Sequence, residues 1–229
     1  MNVAALIPVK GFRNAKQRLS PFLTRAAREH FAETMFRDVL RQVQIARGLV
    51  GTFVVTGDEK VAAIAAIAGA EIIHEAEEKG ETTAVDFGRL ELKSAGYEAV
   101  LIIPGDMPLV RAADIEQVLA QVPEGATAPF ALLVPSHDRL GTNALLLAPP
   151  DVIKLRFGYD SFTFHLMQVK GQGLPIRYIE NERIALDIDD PKDFDRLLSC
   201  EPDDGESIRL ARVLSSEQNA LGVRRSGSV

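Results

Sequence analysis

Apolar residues fall along this chain in two alternating rhythms, short unbroken runs and longer stretches with a helical repeat. Val3 to Val9 (VAALIPV) is such a run and predicts a strand buried on both faces. Thr24 then stands where a helix N-cap belongs. Behind it Phe31, Met35, Val39 and Val43 recur every four residues, with Phe36 and Leu40 widening the apolar face. A strand at 52–56, an alanine-rich helix from about Asp58 to Ala68, a short strand in AEIIHE and a helix from roughly Thr82 to Ser94 follow. Residues 99–103 (AVLII) have the β-branched, aliphatic character of a central strand, and they end abruptly in PGDMPLV. The pattern continues with a helix from about Ala113 to Gln121, strands at 131–134 and 144–147, and a helix near 161–170. Strands at 175–179 and 184–187 precede a helix opening at Pro191, with Asp190 as its cap. Residues 207–214 (SIRLARVL) suit a short helix, and the terminal SGSV reads as a disordered tail.

Alternation of strand and helix with long crossovers predicts an α/β fold, a mostly parallel but mixed sheet with helices on both faces. Residues 1–199 are expected to form a single domain and 200–229 a polar extension. In such sheets ligands bind beyond the carboxyl ends of the strands. The polar residues that follow each strand are therefore the ones to read for chemistry.

Composition narrows the classes. Twenty-six Lys and Arg against 32 Asp and Glu leave a formal charge of −6, which supplies no basic excess for a general nucleic-acid binder. No apolar run approaches the ~20 residues of a membrane span, and the N-terminus lacks the basic lead of a signal peptide. A single cysteine, Cys200, excludes an internal disulfide and any CxxC motif, and a cytoplasmic location is expected. The four histidines lack metal-ligand spacing and read as surface or internally satisfied residues.

Directly after the first strand comes PVKGFRNAKQRL, with Lys10, Arg13, Lys16 and Arg18 inside nine residues. Cations at the carboxyl end of a first strand suit a polyanion such as a triphosphate. The loop is neither a P-loop nor a GxGxxG turn. After the central strand stands Asp106, and a second acidic cluster, ALDIDDP, supplies Asp187 and Asp189. Two residues apart in an extended stretch, their carboxylates share one face, roughly 6–7 Å apart. Like charges so placed call for a cation. Carboxylates from two loops beside phosphate-directed cations have the composition of a Mg²⁺–nucleotide site. Two further turns offer anion donors: Gly141-Thr142-Asn143, and Gly158 to Ser161 in FGYDSFTFH.

Taken together, IPVKGFRNAKQRL, VVTGD, PGDMPL, GTNALLL, FGYDSFTFH and LDIDDP resemble, in order and spacing, the 2-phospho-L-lactate guanylyltransferase family over about residues 3–199. The resemblance implies a nucleotide-diphospho-sugar transferase-like, Rossmann-like fold. It also implies transfer of GMP from GTP to the phosphate of a three-carbon acid, with release of pyrophosphate, in biosynthesis of coenzyme F-420. Within the family the acceptor is 2-phospho-L-lactate, phosphoenolpyruvate or 3-phospho-D-glycerate.

By motif, the resemblance assigns Mg²⁺ to Asp106, Asp187 and Asp189. It places Lys10 and Lys16 near the nucleotide phosphates and the acceptor at Thr142, Asn143, Gly158 and Ser161; the nucleotide site is expected to comprise Lys10, Arg13, Lys16, Arg18, Gly80 and Thr83, with Lys10, Lys16 and Asp106 as catalytic residues. It leaves room for a homodimer and implies neither nucleic acid nor membrane as partner. Where the family commonly has Gly-Leu-Asn near the base, this chain has KGETTAVD at 79–86, with Glu81 and Thr82 in place of Leu and Asn. A related enzyme using CTP or UTP with a sugar or alcohol phosphate would share the lysines and aspartates. GTN and FGYDS favour a small acidic acceptor over a sugar. A non-catalytic nucleotide-binding regulator is the third reading, opposed by the intact aspartates and lysines.

Overall fold

Six strands form one mixed sheet in the computed structural model, which describes residues 1–77, 79–122, 129–200 and 205–220. Strand β1 (Val3–Pro8) lies between two parallel neighbours, β2 (Gly51–Thr56) and β4 (Ala99–Ile102), with Leu6 opposite Phe53 and Ile102. A third strand, β3 (Glu71–His74), extends the parallel half beyond β2. On the other side β6 (Thr142–Ala148) runs antiparallel to β4, and β5 (Phe130–Pro135) runs antiparallel to β6 at the edge. The spatial order is therefore β3-β2-β1-β4-β6-β5.

The two-residue strand period sorts the core. Ala5, Ile7, Leu101, Leu132 and Leu146 face one side, against α1 (Arg25–Ile45), α2 (Glu59–Ile67) and α4 (Ala112–Leu119). Leu6, Val55, Ile102, Leu133 and Leu145 face the other, against α3 (Glu81–Ser94) and α5 (Ser161–Gly171). Gly88 brings α3 close to the sheet: a Cβ there would stand 2.9 Å from Leu6 Cδ1. Helix starts follow the expected caps. Thr24 Oγ1 accepts the Ala27 N–H, and Asp58 accepts that of Val61. Asp190 accepts from Lys192 and Asp193 at the start of α6 (Pro191–Ser199).

A third apolar cluster lies on the outer side of α1, where Phe31 and Met35 meet Phe194, Ile208 and Ala211. Ile208 and Ala211 belong to α7 (Glu206–Ala220), so the helix expected at 207–214 extends to 206–220. Asp38 of α1, buried, accepts the Ser207 N–H at 2.8 Å and its hydroxyl at 2.6 Å. It caps α7 from across the interface, a device invisible in local sequence. The terminal SGSV lies outside the described residues.

Two expected strands are corrected. Residues 175–179 make one bridge, Leu133 to Tyr178, along the outer edge of β5 and no strand of their own. Ile176 and Tyr178 stay about half exposed there, so the alternation buries no face. Residues 184–187 leave a turn: Ala185 N–H reaches the Asn181 carbonyl at 2.8 Å, and Ile184 N–H reaches Asn181 Oδ1 at 3.0 Å. The asparagine side chain supplies the turn's acceptor, so Ile184, Ala185 and Leu186 are buried from a turn rather than a ladder.

Candidate active site

Two clefts open at the carboxyl ends of β1, β2 and β4 and meet at three shared residues. The first, about 580 Å³, is lined by the β1 loop from Lys10 to Lys16, by Gly57 and Asp58 after β2, and by Glu75 after β3. The second, about 660 Å³, is lined by Ser136 to Asn143, Phe157 to Ser161, the Asp187–Asp190 segment and the start of α6. Asp106, Pro104 and Glu81 border both.

Local sequence shapes the first cleft. Gly11 passes so near Asp58 that a Cβ would stand 2.7 Å from its Oδ2. Arg28, buried in α1, donates to the Ala15 carbonyl at 3.0 Å and ties the loop down. Lys16 itself is left-handed (φ 53°), and its side chain, 8% exposed, reaches Asp106 Oδ2 at 2.7 Å and Asp189 Oδ1 at 3.0 Å. Burial opposes its charge, yet the two carboxylates more than offset this and hold its pKa above the ordinary lysine value. Lys10 and Arg13 line the same cleft and form no ion pair among the described residues.

The aspartates come together through backbone and core. Ile188 N–H donates to the Asp106 carbonyl at 3.2 Å, and its side chain is fully buried. Asp187 and Asp189, on either side of it, therefore turn the other way, and both line the second cleft. Burial, then the negative charge of Asp106 and Asp189, raises the Asp187 carboxyl, while Lys16 lowers that of Asp189. Asp106 Oδ1 is buried without a hydrogen-bond partner. Among the described residues no three carboxylates or imidazoles form a ready metal cage. Mg²⁺ does not require one, since it keeps water and commonly takes one or two carboxylates plus substrate phosphates.

The other expected site residues divide. Thr142, Asn143, Gly158 and Ser161 all line the second cleft. Asn143, however, uses both amide hydrogens within the protein, on the Ile184 carbonyl (2.9 Å) and Asp187 Oδ1 (3.0 Å). It holds Asp187 in place and has no side-chain N–H left for an anion. Arg18 lies on the second cleft rather than the first, and Gly80 and Thr83 line neither. Thr83 directs its hydroxyl back to the Lys79 carbonyl, while Thr82 accepts the Phe157 N–H at 3.0 Å and joins α3 to a loop of the second cleft.

Three residues went unread as site residues. Glu81 sits where the clefts join, its carboxyl pushed up to about 7 by burial, then by Asp106. Lys192 and Arg196 line the second cleft from one face of α6, four residues apart. The spacing was the available signal, but it reads equally as a solvated helix surface.

The assembly of a cationic loop, an aspartate trio and a second, smaller-donor cleft on this sheet has close relatives. The family described as "Guanylyl transferase CofC like" matches residues 3–214. The chain belongs to that family. It is 36% identical to a phosphoenolpyruvate guanylyltransferase of Rubrobacter xylanophilus over 197 residues, covering 86% of this chain and 94% of the relative. It is 30% identical over 198 residues to a 2-phospho-L-lactate guanylyltransferase of Methanothermobacter thermautotrophicus, covering 86% and 85%. Among solved structures, a Desulfovibrio desulfuricans G20 protein described as a nucleotide-diphospho-sugar transferase superposes with a TM-score of 0.78 at 15% identity, covering 96% and 98%. At that identity the likeness concerns the fold. As a guanylyl transferase family member the chain is a nucleotidyltransferase, and among its described residues no helix is long and apolar enough to cross a membrane.

Proposed function

We propose that this enzyme moves GMP from GTP to the phosphate of a three-carbon phospho-acid, with pyrophosphate as the leaving group, as a step toward coenzyme F-420. The observation that carries the reading is the meeting of two differently built clefts at Asp106. The first has side-chain cations for a triphosphate, and the second joins hydroxyls and turns to Arg18, Lys192 and Arg196 for a small anion. Phosphoenolpyruvate, 2-phospho-L-lactate and 3-phospho-D-glycerate all fit that description.

A phosphate monoester is mostly dianionic near pH 7, its second pKa being about 6, so an acceptor oxygen attacks the α-phosphorus without a general base. The task is to bring two anions together and stabilise the leaving charge. Lys10 and Arg13 face the triphosphate. Lys16 has three N–H donors, two of them on Asp106 and Asp189, which leaves the third for a phosphate oxygen. Asp106, Asp187 and Asp189 would hold Mg²⁺, which supplies charge neutralisation between donor and acceptor phosphates. The orphaned Asp106 oxygen and the crowded Asp187 carboxyl suit that role.

Pyrophosphate release with Mg²⁺, each of four nucleoside triphosphates and a panel of phosphorylated acids and sugars tests the reading. Release confined to GTP plus a three-carbon phospho-acid is expected. Release with CTP or UTP and a sugar phosphate, or none with any pair, would overturn it.

A further inference from the structure

Behind the two hydroxyls of the second cleft lies a histidine that the mechanism above does not use. His165 is fully buried on α5. Its Nε2 stands 3.1 Å from the backbone nitrogen of Arg156, and a backbone N–H can only donate, so Nε2 carries the lone pair. Burial, then the charges of Arg156 and Arg89, pushes the ring's pKa down to about 3, and the imidazole is neutral throughout the working range. Its one proton is therefore on Nδ1, 2.9 Å from Thr142 Oγ1. Phe157 and Phe164 pack edge-on with ring centroids 5.7 Å away, which holds the ring in that orientation. Neither nitrogen is left to act as a base in the cleft.

The consequence falls on Thr142. Its oxygen accepts from His165, so its own proton must leave in another direction, and the residue lines the second cleft. Ser161 is in the same condition: its Oγ accepts the Thr142 backbone N–H at 3.0 Å, which leaves its proton unused. We infer that His165 is a positioning residue for the acceptor, a fixed donor that turns the Thr142 hydroxyl outward toward the phosphate or carboxylate of the phospho-acid. Arg156 N–H, imidazole, hydroxyl and anion then form one chain of donors pointing the same way, each strengthening the next. The inference rests on the acceptor reading of the second cleft.

The experiment compares KM for GTP and for phosphoenolpyruvate in wild type, His165→Phe, His165→Asn, Thr142→Val and the Thr142→Val/His165→Phe double variant. Phenylalanine fills the volume without a donor, and the acceptor KM should rise roughly 10-fold while the GTP KM stays put. Asparagine can present an N–H near the Nδ1 position and should restore most of the loss. The double variant should be no worse than Thr142→Val, since both remove one chain. Equal rises in both KM values, no rescue by asparagine, or additive losses would overturn the positioning role. Nitrogen-15 spectra of the wild-type enzyme labelled at histidine give a test independent of any variant's folding. A neutral ring protonated at Nδ1 is required, and a proton on Nε2 contradicts the inference. A wild type that uses no three-carbon phospho-acid sinks the acceptor reading itself, whereas an active enzyme with unchanged His165→Phe kinetics sinks this inference alone.

Discussion

The two clefts bind anions by different means, and the difference follows from how each is assembled. The first takes its cations, Lys10, Arg13 and Lys16, from one loop of seven residues behind β1, held by Gly11 and Arg28. The second combines donors drawn from far apart, the hydroxyls of Thr142 at the start of β6 and Ser161 at the start of α5 and the cations Arg18, Lys192 and Arg196, with an acidic wall at Asp187, Asp189 and Asp190. A long charged side chain binds phosphate in many poses, which suits a flexible triphosphate. A hydroxyl fixed by neighbours binds in one, which suits discrimination among three-carbon acids that differ by single atoms. The difference is that the first cleft presents charge from one loop, whereas the second adds fixed hydroxyls to its own cations.

The largest effect is expected at Asp106, one of the three residues that border both clefts. Asp106→Asn keeps shape but removes charge beside both substrates, and turnover should fall at least ~100-fold, about 2.7 kcal/mol, with the fold retained by circular dichroism. Near-normal turnover at saturating Mg²⁺ would separate the clefts from any common metal site. Lys16→Ala should come next, raising the GTP KM and lowering kcat together, because a phosphate-directed cation acts on ground and transition states alike. Lys16→Arg should recover only part, since the guanidinium fork does not overlay an ammonium.

Ser161→Ala should break the symmetry between the clefts. Losing one hydrogen bond to a charged group costs about 1.5–3 kcal/mol, so the acceptor KM should rise roughly 10- to 150-fold while the GTP KM holds. A rise for GTP alone would show that the assignment of the two sides is inverted.

Legibility divides along the same line. The first cleft lies in consecutive residues, so its cations could be read directly, and the β1 strand before them follows from its apolar run. Asp187 and Asp189 were legible as a pair because strand-like spacing puts them on one face, and burial of Ile188 makes that spacing count. The partners of Asn143 lie beyond local sequence: Ile184 and Asp187 are 41 and 44 residues away, and they take both hydrogens of its side-chain amide. Arg18 was placed with the nucleotide by its neighbours in sequence, but lines the other cleft. The strand expected at 184–187 failed because an asparagine-centred turn buries residues as well as a ladder does, and the one expected at 175–179 failed because its apolar residues, with Ile176 and Tyr178 about half exposed, make a single edge bridge and bury no face.

The smallest predicted effect concerns how the second cleft is braced. Arg183 donates to both oxygens of the buried Asp114, at 2.7 and 2.6 Å, beside the turn that leads to Asp187. Burial alone would raise the Asp114 carboxyl, but hydrogen bonds from Arg183 and Asn181 hold it below its ordinary 3.8. A folded-state pKa so lowered contributes stability above pH 3.8 that is lost as the pH falls through the folded value. Asp114→Asn should therefore lower Tm by a few degrees at pH 7, and the gap from wild type should narrow as the pH falls below 3.8. A gap that persists in acid would mean that the asparagine disturbs packing and that the ion pair contributes nothing.

The division itself is tested most directly by a crystal structure with a non-reactive GTP analogue, phosphoenolpyruvate and Mn²⁺ in place of Mg²⁺. The account predicts the triphosphate along Lys10 to Lys16, the acid against Thr142 and Ser161, and the anomalous signal of the metal at Asp106. A nucleotide seated on the Thr142–Ser161 side, or a metal remote from Asp106, would contradict it.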